Sequence, residues 1–137
     1  MGAAKILIVD DEVAIRGLLK SAVGGPEVNF FEADSAEGAL DFARRNPPFD
    51  LVITDIFMKG MNGIDMARRL REGGHAAKFL FLSGYCDLNL EDMLSEDFDA
   101  RFLPKPFALT ELVATVRILL EARQWRMQSP PRMRRRA

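Results

Sequence analysis

A single cysteine and a single histidine, Cys86 and His75, stand in a chain of 137 residues. One cysteine forms no internal disulfide, and one cysteine with one histidine supplies no zinc-ligand set. Long apolar runs are missing as well: none approaches the ~20 residues of a membrane span. The first residues lack the charged-then-apolar layout of a signal peptide. These absences point to a reducing compartment, and the cytoplasm is the expected location. A large excess of one charge is also absent, the formal net charge being −1 at pH 7. That balance hides an asymmetry, because residues 123–137 hold six arginines and no acid, against 13 basic and 20 acidic residues before them. With 48% hydrophobic content the chain has interior enough for one core. Residues 1–122 read as one domain and residues 123–137 as a basic, flexible tail broken by Ser129-Pro130-Pro131. A second folded domain is not expected.

What is present is a set of four short apolar runs, each ending on a polar residue able to handle a phosphoryl group. Ile6-Leu7-Ile8-Val9 leads to Asp10-Asp11, and Leu51-Val52-Ile53-Thr54 leads to Asp55. Phe79-Leu80-Phe81-Leu82 leads to Ser83, and Ala100-Arg101-Phe102-Leu103 leads to Lys105. Runs so short and apolar read as strands covered on both faces. Val28 to Ala33 is a further strand, and its Asn29 and Glu32 suit an edge.

Between the strands the apolar period changes to that of a helix. Ile15, Leu18, Leu19 and Ala22 make one stripe, and Ala36, Ala39, Leu40 and Ala43 make another. Asp34 with Glu37 reads as the start of the second helix, and Asn46-Pro47-Pro48 as its stop, bounding it near 35–46. A third helix fits 63–72, capped by Asn62 and ended by Gly73-Gly74, and a fourth fits 88–96. Leu109, Leu112, Val113, Val116, Leu119 and Leu120 mark the last. Strand then helix, five times over, predicts an α/β doubly wound five-stranded parallel sheet of order 2-1-3-4-5, with helices on both faces. In such sheets the ligand crevice lies at the carboxyl ends of the strands. The four chemistries should therefore meet there.

Asp10, Asp11 and Asp55 would then crowd one another, and like charges at ~4 Å repel by ~4 kcal/mol at an effective dielectric near 20. A hard divalent cation such as Mg²⁺, which takes carboxylate oxygens and leaves positions open for phosphate, would offset them. Lys105 supplies a second, fixed positive charge. This constellation suits phosphoryl transfer, and Asp55, standing alone between the acidic pair and the Ser83 and Lys105 side, is the candidate nucleophile. Asp10-Asp11 as a helix cap, Ser83-Gly84 as turn chemistry and Lys105 as a solvated loop residue each account for one motif. None accounts for all four in order.

With these motifs the chain resembles the receiver domain of two-component response regulators, of the single-domain, stand-alone type. The resemblance rests on Ile8-Val9-Asp10-Asp11-Glu12, Asp55-Ile56-Phe57-Met58 with Gly60-Met61-Asn62-Gly63, Ser83-Gly84-Tyr85, and Lys105-Pro106-Phe107, across residues 4–122. It implies a flavodoxin-like fold in which Asp55 takes a phosphoryl group from a phosphohistidine of a sensor histidine kinase or phosphotransfer protein. Mg²⁺ would sit on Asp11, Asp55 and the backbone carbonyl of Phe57, with Asp10 assisting directly or through water. Ser83 and Lys105 would hold phosphoryl oxygens, Phe102 would occupy the aromatic switch position, and Lys105-Pro106 is a candidate cis peptide. The switch would reshape the surface of the fourth helix, fifth strand and fifth helix for protein contacts. A core aromatic fits Phe102 equally well.

Three positions depart from the family pattern: Lys59 replaces the usual proline, Asn62 a common aspartate, and Ala108 a capping Thr or Ser. No chemical residue is lost. The chain is not expected to be an enzyme. Rival readings are a phosphate sink or relay shuttle without output, and a Mg²⁺-dependent aspartyl-phosphate phosphohydrolase. The last would want a second acid/base aspartate where Phe57 stands. Neither nucleic acid nor a membrane is an expected partner, and the output protein is not named by the sequence.

Overall fold

The alternating periods are realised in a computed structural model as β1 (Ala4–Val9), α1 (Val13–Val23), β2 (Val28–Ala33), α2 (Ala36–Arg44), β3 (Leu51–Asp55), α3 (Gly63–Glu72), β4 (Lys78–Ser83), β5 (Arg101–Pro104) and α4 (Leu109–Gln128). The structure describes residues 3–46, 48–75, 77–84 and 100–128, with backbone alone at 122–128. The helix expected over 88–96, together with Tyr85 and Cys86, lies outside the described residues, so the helix after β5 is α4. Among the described residues no helix is long and apolar enough to cross a membrane.

The five strands form one parallel sheet of order β2-β1-β3-β4-β5, the doubly wound flavodoxin-like arrangement. The interior strands are almost wholly apolar because both of their faces are covered. Alternation along β1 sends Leu7 and Val9 to one core and Ile6 and Ile8 to the other. The first core packs Val52, Phe79 and Phe81 against Ala36, Ala39 and Ala43 of α2 and Met66, Ala67 and Leu70 of α3. The second packs Ile53, Leu80, Leu82 and Leu103 against Leu19 of α1 and Leu112, Val116 and Leu119 of α4. Burying each such Leu, Ile or Phe contributes about 1.5–3 kcal/mol. Strand β2 lies at an edge, and its Asn29 and Glu32 are exposed as their polarity required.

Four details of the helices differ from expectation. The stripe of α1 turns from Leu18, which is 40% exposed, toward Val23, which packs against the core beside Ile15 and Ala22. Leu109 likewise stays outside the core at the start of α4. Helix α2 is capped by Ser35 and not by Asp34: the Ser35 Oγ accepts the Gly38 N–H at 2.9 Å. Ser35→Ala is therefore expected to cost about 1 kcal/mol, a drop of roughly 3–5 °C in Tm. Asp34→Ala, measured beside it, should show no such drop; equal losses would place the cap elsewhere. Helix α3 starts as expected, the Asn62 Oδ1 accepting the Asp65 N–H at 2.8 Å. Helix α4 continues to Gln128, past the boundary expected at residue 122.

Candidate functional site

Strand register decides which polar residues meet. Val9 pairs with Thr54, so Asp10 and Asp55 emerge side by side one step later. Asp55 pairs with Leu82 and Ser83 with Pro104, which places Ser83 and Lys105 on the other flank of Asp55. Backbone bonds lock these ends together: Asp10 N–H donates to the Ala33 carbonyl at 3.2 Å, Ile56 N–H to Leu82 at 2.9 Å, and Lys105 N–H to Ser83 at 2.7 Å. The Lys105-Pro106 peptide is cis.

Five polar side chains thus lie at one sheet edge. Asp10 and Ser83 are fully buried, Asp55 nearly so, and Asp11 is exposed. The Lys105 Nζ reaches the Asp55 Oδ2 at 3.3 Å and the Asp10 Oδ2 at 3.5 Å. Carboxylate oxygens of Asp10, Asp11 and Asp55 all fall within 4.8 Å of one another. Gly63 fits α3 closely under this cluster, for a Cβ there would sit 2.3 Å from the Asp55 carbonyl oxygen.

The electrostatics follow from two buried carboxylates, Asp10 and Asp55, beside one ammonium. Burial pushes the Asp55 carboxyl above its ordinary range; Lys105 opposes this, and the neighbouring Asp10 adds to it. The Phe57 backbone N–H also donates to the Asp55 carboxylate. Burial alone would lower the Lys105 ammonium, but Asp10 and Asp55 outweigh it and hold the group above its ordinary value. The two shifts have different origins, burial for Asp55 and the neighbouring carboxylates for Lys105, and a site holding three carboxylates and one ammonium attracts cations.

Asp10 shows the fit to a divalent metal most directly. Its Oδ1 accepts the Glu12 N–H at 2.9 Å, a turn-forming bond. Its Oδ2 is buried, makes no hydrogen bond and lies 3.5 Å from the Lys105 ammonium. A buried carboxylate oxygen left in this way, beside two more carboxylates in ligand reach, matches the oxygen donor set of Mg²⁺.

Two residues around the site were not singled out in the sequence. Arg16 donates from Nη1 to the Asp10 carbonyl at 2.8 Å and from Nε to the Glu32 Oε1 at 3.0 Å, bracing the end of β1. Lys20 joins the same carboxylate at 2.6 Å, and with Arg16 it keeps Glu32 below the usual carboxylate range. Glu37, read only as part of a helix start, accepts the Met61 N–H at 3.1 Å across 24 positions of sequence. Neither tie has a local signal, since each joins elements brought together only by the fold. Phe102 lies on β5, half-buried against the first core, and Phe57 is 56% exposed beside the site.

The geometry agrees with what the chain is similar to. The family model for the response regulator receiver domain matches residues 6–117. The sensor kinase CckA of Brucella abortus is 36% identical over 121 residues, which cover 88% of this chain and 13% of that protein. The response regulator receiver protein CpdR of the same organism is 34% identical over 121 residues, covering 86% of this chain and 98% of CpdR. Transcriptional regulators that also match are spanned over about half of their length. Among solved structures, the response regulator TrrA of Thermotoga maritima, in complex with Mg²⁺ and BeF, superimposes with a TM-score of 0.72 at 33% identity, covering 85% of this chain and 98% of that one. With its strand order, its acidic edge and a family match across nearly all of its described length, the chain belongs to the response regulator receiver domains.

Proposed function

We propose that the chain is the phosphoacceptor of a two-component phosphorelay and that Asp55 receives the phosphoryl group. The observation that carries this reading is the Asp55 carboxylate, held 3.3 Å from the Lys105 ammonium in a pocket of three carboxylates. One Asp55 oxygen forms the new O–P bond as the P–N bond of a phosphohistidine breaks, and the departing imidazole keeps the electron pair and takes a proton from solvent. The donor is a histidine kinase or a histidine phosphotransfer protein. Asp11, Asp55 and the Phe57 carbonyl would hold Mg²⁺, with Asp10 assisting directly or through water. When bound, the ion neutralises charge on the phosphoryl oxygens.

Lys105 then shifts from carboxylate to phosphoryl oxygen, and Ser83, at the end of β4, donates to another. A phosphoryl group adds close to two negative charges at this edge. Drawing Ser83 and Lys105 toward it biases β4 and β5 toward a second arrangement, in which the Phe102 ring turns inward and the face carried by β5 and α4 changes shape. That face is the output surface for a protein partner. The match over 98% of CpdR, a response regulator receiver protein, supports reading the chain as a receiver.

Incubation with acetyl phosphate and Mg²⁺, followed by intact-mass measurement, tests the proposal. One added phosphate is expected for wild type, with none when Mg²⁺ is chelated and none for Asp55→Asn. Continuous turnover of phosphomonoesters would instead identify a hydrolase. Capture of a partner by the phosphorylated form alone would separate an output regulator from a sink or shuttle.

A further inference from the structure

We infer that Glu37, on the first turn of α2, is a positioning residue for the segment that follows Asp55. The inference rests on the proposed role of Asp55 and adds a residue that acts on it from another element. The segment between β3 and α3 carries Phe57, whose N–H holds the Asp55 carboxylate and whose carbonyl is the expected metal ligand. It also carries exposed Lys59, where the family pattern has a proline. Without a ring to fix φ at that point, the segment is free to sample more conformations, and its geometry must be set by contacts.

Two independent observations assign that task to Glu37. Its Oε2 accepts the Met61 N–H at 3.1 Å, a hydrogen bond from backbone to a charged acceptor. Gly60, just before Met61, has φ +79, a left-handed conformation that glycine adopts without strain. A Cβ at Gly60 would lie 2.9 Å from the same Oε2. The glycine therefore supplies both the turn and the room in which the carboxylate reaches the backbone. Farther along, the Gly63 N–H donates to the Ile56 carbonyl at 2.8 Å, closing the segment at its other end. Glu37 holds its middle from outside. The reach of α2 thus replaces the stiffness that proline would have given.

The full-length chain tests this through Mg²⁺ binding by calorimetry, the Met61 amide signal in metal-free protein, and adduct formation from acetyl phosphate. Glu37→Ala is expected to weaken Mg²⁺ binding about 3-fold, the net worth of one exposed hydrogen bond. It should move the Met61 amide and slow adduct formation at low Mg²⁺, with recovery at saturating Mg²⁺. Glu37→Gln keeps an acceptor without the charge and should stay close to wild type. Gly60→Ala should act in the same direction as Glu37→Ala, and the double variant should lose less than the two effects multiplied. Wild-type Mg²⁺ affinity and adduct rate in Glu37→Ala would overturn the inference. So would a Glu37→Gln variant as impaired as Glu37→Ala, which would assign the effect to charge at the helix start. If wild type takes no phosphate at all, the proposed function fails, while the Mg²⁺ and amide measurements still decide the role of Glu37.

Discussion

An Asp55→Asn variant is expected to take up no phosphate and yet, in metal-free buffer at pH 7, to melt about 5 °C above wild type. An amide is not a nucleophile toward phosphorus, which accounts for the first half. The second half follows from the pocket. Carboxylate oxygens within 4.8 Å of each other repel by about 3 kcal/mol per pair at an effective dielectric near 20. Asp55 faces the buried Asp10 and the exposed Asp11, and the ammonium at 3.3 Å offsets that repulsion. The cost of burying the charge is the largest contribution, and it leaves the carboxylate destabilising by about 1–2 kcal/mol. For a domain of this size, that difference corresponds to roughly 5 °C.

The pH dependence gives the same sign. The native Asp55 carboxyl titrates above its ordinary value of 3.8, so the folded state holds its proton more tightly than the unfolded chain does. This group therefore removes stability as pH rises from about 3.8 through the raised value, and the loss persists at pH 7. Asparagine, which does not titrate, escapes it. Mg²⁺ should reverse the ranking, because an ion that binds only the native wild type adds about 2.7 kcal/mol at 100 times its dissociation constant. Melting curves with and without Mg²⁺, at pH 4 and pH 7, check both halves. A variant less stable than wild type without metal at pH 7 would show that the pocket is not short of positive charge.

The same excess of acid explains what could be read from the sequence. Strand runs ending on Asp10, Asp55, Ser83 and Lys105 were legible because a strand buried on both faces needs an unbroken apolar run, and its end is where polarity resumes. Order along the chain then gave the sheet, since parallel strands require the intervening helices. The Ser35 cap was harder, because Asp34 and Ser35 have equal capping chemistry and only backbone geometry chooses between them. The stripe of α1 was misplaced by one side chain, Leu18, for a similar reason: neighbouring apolar residues at a stripe's rim differ only in how the helix is rolled against the sheet. The ties that Arg16 and Glu37 make to other elements could not be read. Charged residues on a helix usually face solvent, and nothing local distinguishes one that reaches a carbonyl or an amide in another element. That the Asp10 Oδ2 makes no hydrogen bond likewise belongs to the packed structure, where the turn bond occupies one oxygen and leaves the other facing the Lys105 ammonium.

Lys105→Met should show the opposite behaviour to Asp55→Asn, a loss of stability larger than that gain. Removing the ammonium leaves Asp10 and Asp55, 3.5 and 3.3 Å from it, without their positive neighbour. Breaking a buried ion pair from one side typically costs 3–5 kcal/mol. Lys105 keeps 20% of its side chain in water, so the low end applies, about 3 kcal/mol or roughly 10 °C in Tm. The deficit should be greatest near neutral pH in metal-free buffer. It should shrink as pH falls through the raised value of Asp55, and shrink also when Mg²⁺ supplies the missing charge. At the alkaline end, the raised value of Lys105 means that its stabilisation is complete below 10.5 and is lost as pH rises through the native value. Wild type should therefore lose stability there in a step that the methionine variant lacks. Formation of the acyl phosphate should slow about 100-fold, the usual effect of removing one donor to a developing oxyanion. Combining Lys105→Met with Asp55→Asn isolates the pair itself. If the two side chains act on each other, the double variant should be more stable than the summed single effects by about 1–3 kcal/mol. Simple additivity in urea unfolding would mean that the 3.3 Å approach carries no energy, and the central contact of the proposed site would lose its role.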